Sequence, residues 1–218
     1  MAEAPAPCIY VLAGTNGAGK SSLAGAAFLR AGVEFFNPDQ AAQLILARNR
    51  GLGLEAANSA AWQQGTRLLE RAITERLTFA FETTLGGRTI TALLERALAT
   101  GLEVRVWYVG LSSPELHLAR IRARVAQGGH DIPEARVRTR YDSSRLNLIR
   151  LLPTLTELRV HDNSAEADPA AGVAPEPMLV VHMVRGTIVR ACPLTRTPAW
   201  AKPILAAAMK SAARAGAS

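Results

Sequence analysis

A short apolar run, Cys8–Ala13 (CIYVLA), leads straight into Gly14-Thr15-Asn16-Gly17-Ala18-Gly19-Lys20-Ser21, and this stretch restricts the chain more than any other. Its spacing is G-x-x-x-x-G-K-S. Glycines stand where a backbone must wrap around an anion, and a lysine and a hydroxyl follow. The apolar run before it reads as a buried strand, and a helix is expected to start near Lys20. In such a strand–loop–helix unit the main-chain N–H groups converge on phosphate, and the helix N-terminus adds positive charge. The expected nucleotide-binding set is Gly14, Thr15, Asn16, Gly17, Ala18, Gly19, Lys20, Ser21 and Ser22. Lys20 is expected to neutralise charge between the β- and γ-phosphates of ATP or GTP, and Ser21 to offer its hydroxyl to Mg²⁺. Asn16-Gly17-Ala18-Gly19 is also a cradle pattern of transporter-type ATPases. The chain shows no LSGGQ-like signature and no apolar run ending in Asp-Glu, which argues against that class.

The rest of the chain alternates short apolar runs with helical patterns. Further strands are expected at Val33–Phe36, Thr78–Phe81, Val104–Val109 and, more weakly, Leu158–His161. Helices are expected over 55–77, with a stripe of Trp62, Thr66, Leu69, Ile73 and Leu77, and from Ile90 to Gly101. Two more run from Pro114 to Gly128-Gly129 and from Pro133 to about Leu151. Asp39 and Asp131 are placed to cap helices, with Pro133 in a first turn. This order predicts an α/β P-loop NTPase fold: a mainly parallel five-stranded sheet flanked by helices. A C-terminal β-hairpin (Met178–Val184 and Thr187–Ala191) and a helix at 200–214 follow. Residues 1–164 are expected to form the core, with an arginine lid at about 113–150, and residues 165–218 to pack on it.

Of 218 residues, 25 are Lys or Arg and 18 are Asp or Glu, a formal charge of +7, which suits anionic ligands. Cys8 and Cys192 have no metal-binding spacing, and Cys8 reads as a buried thiol. No apolar stretch approaches membrane-spanning length. The expected setting is cytoplasmic, without membrane contact.

Phosphoryl transfer needs a base or an orienting carboxylate beside the γ-phosphate. Asp39 follows the second strand at the carboxyl edge, where such sheets bind ligands. It reads equally as a base and as a helix cap. Glu82, Thr83 and Thr84 end the third strand at the same edge. They can hold an acceptor or reach Mg²⁺ through water, and the threonines can also cap the next helix. Arg88 opens that helix as an anion contact or a solvated charge. Six arginines lie between Arg120 and Arg140: Arg120, Arg122, Arg124, Arg136, Arg138 and Arg140. Most of such a run is expected to be solvated. Arg124 and Arg140 are the two expected to act on phosphate, and His130 sits at the glycine turn between them.

Together these pieces resemble the zeta-toxin-like P-loop kinases, in particular their bacterial predicted-ATPase branch. The resemblance is carried by Gly14–Ser22 (GTNGAGKSS), Asn37-Pro38-Asp39, Phe79–Arg88 (FAFETTLGGR), Ser113–Leu116, Gly128–Pro133 (GGHDIP), Arg140-Tyr141 and Asp162-Asn163-Ser164. It spans about residues 9–164. It implies a kinase that uses ATP or GTP to phosphorylate the 3′-hydroxyl of a UDP-linked amino sugar. It further implies Asp39 as base, Glu82, Thr84 and Arg88 as acceptor contacts, Lys20 and Arg124 as phosphate-stabilising groups, and an antitoxin protein as a possible partner. The chain departs from the zeta-toxin pattern before Pro133, where His130 and Asp131 replace an arginine and Arg140 is the candidate stand-in. Two other readings stay open. A nucleotide-dependent ATPase or switch would use the cradle without transfer. A kinase for nucleic-acid ends fits the charge, but the sequence shows no aromatic platform or continuous basic stripe.

Overall fold

The computed structural model describes residues 6–20, 35–129, 131–165 and 176–216. Val33, Ser21, Ser22 and His130 lie outside the described residues. The strands are β1 (Cys8–Ala13), β2 (Phe35–Phe36), β3 (Phe79–Thr83), β4 (Glu103–Gly110), β5 (Glu157–Asp162), β6 (Met178–Val184) and β7 (Thr187–Ala191). The helices are α1 (Pro38–Arg48), α2 (Leu54–Thr74), α3 (Arg88–Ala99), α4 (Pro114–Ala126), α5 (Glu134–Leu151) and α6 (Lys202–Ala215).

The strands form one sheet in the order β2-β3-β1-β4-β5-β6-β7. The first five are parallel, as their continuous apolar runs predict, because strands in a parallel sheet are covered on both faces. The hairpin joins this same sheet, with β6 antiparallel to β5 and β7 antiparallel to β6. Its Val180, Val181 and Met183 belong to the same buried cluster as Val104, Leu158, Ile204, Leu205 and Ala208, so the tail extends the main core. Trp200 packs tilted on Tyr108 and donates Nε1–H to Asp162 Oδ1 at 2.7 Å, tying the tail to the carboxyl edge of the sheet.

Three local expectations change. Asp39 does not cap α1. The Asn37 side chain accepts from the backbone N–H groups of Asp39 (2.9 Å) and Gln40 (3.2 Å), and Pro38 occupies the first turn. Asp131 does not cap α5. Pro133 holds that position, and Asp131 Oδ1 accepts from the neighbouring Ile132 N–H at 2.8 Å. On α2 the buried face is Ala57, Ala61, Leu69, Ala72 and Ile73, while Trp62 is 50% exposed; the helix ends at Thr74, and Leu77, expected in its stripe, lies beyond it at 43% exposure.

Candidate active site

The loop from Gly14 to Lys20 rises from β1 at the carboxyl edge of the sheet. Gly14 has φ +139, and a Cβ there would lie 2.1 Å from the Val109 carbonyl oxygen, so only glycine fits beside β4. Lys20 is helical and buried at 5% exposure. Its Nζ donates to Gly14 O (2.8 Å) and Thr15 O (3.4 Å) and pairs with Glu82 Oε1 at 3.3 Å. Glu82 Oε2 accepts from Asn37 Nδ2 at 3.2 Å. The ammonium is thus already held over the cradle, and the end of β3 is tied to the start of α1.

One cavity of about 580 Å³ opens beside this group. Its wall includes Asn16 and Lys20 of the loop, Asp39 of α1, and Glu82, Thr83 and Thr84 at the end of β3. Arg136 and Arg140 of α5 face them, and Phe36 and Trp62 complete the wall. Asp39 is exposed towards the opening, and its charge acts on Arg140. Arg140 is half-buried. Its Nη1 donates to Asn16 Oδ1 at 2.9 Å, and its stem passes over Gly86. Burial and the neighbouring Arg136 push its pKa down, while Asp39 opposes them.

α5 also carries the loop that follows β3. Ser143 donates to Gly86 O, Ser144 to Thr84 O (2.6 Å) and Asn147 to Leu85 O (2.8 Å). Thr15 Oγ1 donates to Arg140 O at 3.3 Å, so one helix braces both the phosphate loop and the Thr84–Gly87 turn. Sequence reading missed Ser143, Ser144 and Asn147. Their polar spacing on one face of α5, between the buried Val137 and Leu148, was the available signal. It also missed His117, which is buried under the loop with Nδ1 2.8 Å from Asn16 O.

Two of the six arginines, Arg136 and Arg140, line the cavity. Arg138 pairs with Glu115 and Glu134, Arg122 approaches Glu134 at 4.0 Å, and Arg120 donates to Ala165 O. Arg124 lies in the last turn of α4 against Gly129, outside the cavity wall. It follows His117 and Ile121 at helical spacing, on the face of α4 that meets the phosphate loop. Arg88 is exposed and outside the wall. A second groove, of about 860 Å³, lies at the opposite edge of the sheet, among Glu103, Thr156, Arg185 and Lys210, away from the phosphate cradle.

This cradle and sheet order belong with a nucleotide-binding kinase fold, and the Zeta toxin family profile matches residues 1–167. The chain belongs to the Zeta toxin family. It is 36% identical over 129 residues to an uncharacterised protein of Haemophilus influenzae, a match covering 59% of this chain and 88% of that one. Among solved structures it resembles a chain of the AvrRxo1-ORF1:-ORF2 complex with ATP (TM-score 0.65, 16% identity). That match covers 93% of this chain and 64% of the other, so this chain spans under two thirds of it. It also resembles a chain of the PezAT chromosomal toxin–antitoxin system of Streptococcus pneumoniae (TM-score 0.52, 17% identity, 73% of this chain and 70% of that one). At these identities the structural likeness shows the fold. Family and fold together make this a kinase-like nucleotide-binding protein. Among the described residues no helix is long and apolar enough to cross a membrane.

Proposed function

We propose that this Zeta toxin family chain transfers the γ-phosphoryl group of ATP or GTP to a hydroxyl of a small acceptor. The acceptor class suggested by the family is a UDP-linked amino sugar. The observation that carries this reading is that one cavity is walled by the phosphate-loop lysine, two arginines and two carboxylates at once: Lys20, Arg136, Arg140, Asp39 and Glu82.

In this reading the triphosphate tail lies along the loop amides, and Lys20 moves from Gly14 O and Glu82 onto the β- and γ-oxygens. The acceptor enters past Trp62, and the Asp39 carboxylate takes the proton of its hydroxyl as the oxygen attacks phosphorus. The bond from phosphorus to the β-phosphate oxygen breaks, and the nucleoside diphosphate leaves. Arg140, and Arg124 from the α4 side, stabilise charge on the transferring group. Thr83 and Thr84 orient the acceptor, and Arg88 is assigned a contact with its outer part.

The donor set suits magnesium, which keeps several waters and needs only one or two carboxylates beside nucleotide phosphates. Glu82 is fixed next to Lys20, and Ser21 supplies the loop hydroxyl. With Glu82 and Ser21 as candidate holders, such an ion would supply neutralisation of phosphate charge. An antitoxin protein is the proposed macromolecular partner.

The test is Asp39→Asn. Transfer to a UDP-amino-sugar panel, followed by mass spectrometry, should slow roughly 10²- to 10⁴-fold, with nucleotide affinity changed by less than about twofold. Equal transfer by the two proteins would remove Asp39 as the base, and transfer by neither, with nucleotide still bound, would leave the chain a nucleotide switch or ATPase.

A further inference from the structure

Two side chains from outside the phosphate loop hold its carbonyl groups. His117, 1% exposed, places Nδ1 2.8 Å from Asn16 O. A carbonyl oxygen only accepts, so Nδ1 carries the proton and donates it. Burial pushes the imidazole pKa down to about 4, which keeps the ring neutral and its tautomer fixed near neutral pH. Asn163, directly after β5, donates Nδ2–H to Ala18 O at 2.8 Å. Its own backbone N–H is tied to Gly110 O at 3.0 Å.

In a planar trans peptide the C=O of one residue and the N–H of the next point in opposite directions. With Asn16 O turned out to His117, the Gly17 N–H turns inward. With Ala18 O turned out to Asn163, the Gly19 N–H does the same. The amide between them, that of Ala18, closes on Thr15 O at 3.2 Å. Glycine at 17 and 19, both with φ +82, lets the two braces approach. A Cβ at Gly17 would lie 2.8 Å from His117 O, and one at Gly19 2.5 Å from Asn163 Nδ2.

We propose that His117 and Asn163 are positioning residues, outer braces that aim the Gly17 and Gly19 amides into the phosphate cradle before nucleotide arrives. This inference rests on the reading of the cradle as a nucleoside-polyphosphate site. It makes donor alignment a property of α4 and of the residue after β5, so that binding need not reorganise the loop. Asn16 also receives Arg140 through its side chain, so the His117 brace sets where that arginine finds its partner.

The experiment is titration of the folded chain with ADP and magnesium, by calorimetry and by the ¹⁵N amide resonances of Gly17 and Gly19. His117→Phe keeps the packed ring and removes the donor. Asn163→Ala removes the other. Each should weaken ADP roughly ten- to a hundredfold. In H117F the ADP-induced shift of Gly17 should be lost and that of Gly19 kept, with the reverse in N163A. His117→Asn, whose amide can occupy the Nδ1 position, should recover most of the affinity. ADP affinity in H117F and N163A within about twofold of wild type would overturn the inference. So would equal loss of both amide shifts in each variant, or no recovery in H117N. If H117F does not fold, N163A carries the test through Gly19. Wild-type protein that binds no ADP would overturn the nucleotide reading and this inference with it.

Discussion

Replacing Ser144 with Ala should be among the most damaging small changes in this protein. Its hydroxyl is wholly buried, donates to Thr84 O at 2.6 Å and lies 3.0 Å from the Tyr108 hydroxyl. A serine has one proton to give, and it goes to the carbonyl, so Tyr108 must donate to Ser144. Burial pushes the Tyr108 pKa up to about 12, so that proton is present at every working pH. S144A leaves the buried Tyr108 hydroxyl and the half-buried Thr84 carbonyl without this partner, at about 1–3 kcal/mol for the first and about 1 kcal/mol for the second, or about 2–4 kcal/mol together. Tyr108→Phe leaves the Ser144–Thr84 bond intact and should cost about 1 kcal/mol. The double variant removes the orphaned Tyr108 hydroxyl, so its cost should fall below the sum of the two by about 1–2 kcal/mol. Urea unfolding followed by circular dichroism measures all three, with unchanged m-values as the control. An S144A cost below about 0.5 kcal/mol, or strict additivity, would refute the relay. Because Thr84 lines the cavity, S144A should also raise the acceptor KM.

Arg140→Ala should lower kcat roughly 10²- to 10³-fold in the transfer assay, whereas Arg138→Ala, whose ion pairs are exposed, should leave kcat within about twofold. Gly14→Ala forces a Cβ onto Val109 O and should cost more than about 3 kcal/mol of stability and abolish nucleotide binding, read by urea unfolding and calorimetry. His117 is held neutral in the fold with a pKa of about 4, against 6.5 in the unfolded chain. The unfolded state therefore binds the extra proton between those values. The contribution is fully present above pH 6.5 and is lost as pH falls to 4, an effect of about 3 kcal/mol that unfolding of H117F across this range should lack.

Much of the fold was legible because its evidence is local. The five parallel strands are short, apolar and bounded by turn residues, and the glycine spacing after β1 has one well-known geometry. The capping error was avoidable. Pro38 suits the first helical turn, which makes Asn37 the cap and leaves Asp39 facing the cavity. Of the expected α2 stripe Leu69 and Ile73 are buried, but alanine carries a weak apolar signal, so Ala57, Ala61 and Ala72, which complete the packed face, were not legible, and Trp62 lines the site instead. That the hairpin continues the main sheet depends on β5–β6 pairing, which no local pattern encodes.

The polar braces were hidden for the same reason. His117 meets Asn16 from 101 residues away, Asn163 meets Ala18 from 145 and Ser144 meets Thr84 from 60. Among the six lid arginines, neighbouring carboxylates decide which face the cavity. Glu115 and Glu134 hold Arg138 at the surface, while Arg140 turns in to Asn16.

The most direct measurement is a crystal structure of the complex with magnesium and a non-hydrolysable ATP analogue. The account predicts Lys20 Nζ withdrawn from Gly14 O onto the β- and γ-phosphates, the Arg140 guanidinium on the γ-phosphate, and the Asp39 carboxylate facing that phosphorus across the cavity. A γ-phosphate pointing away from the wall that carries Asp39 and Arg140 would contradict it.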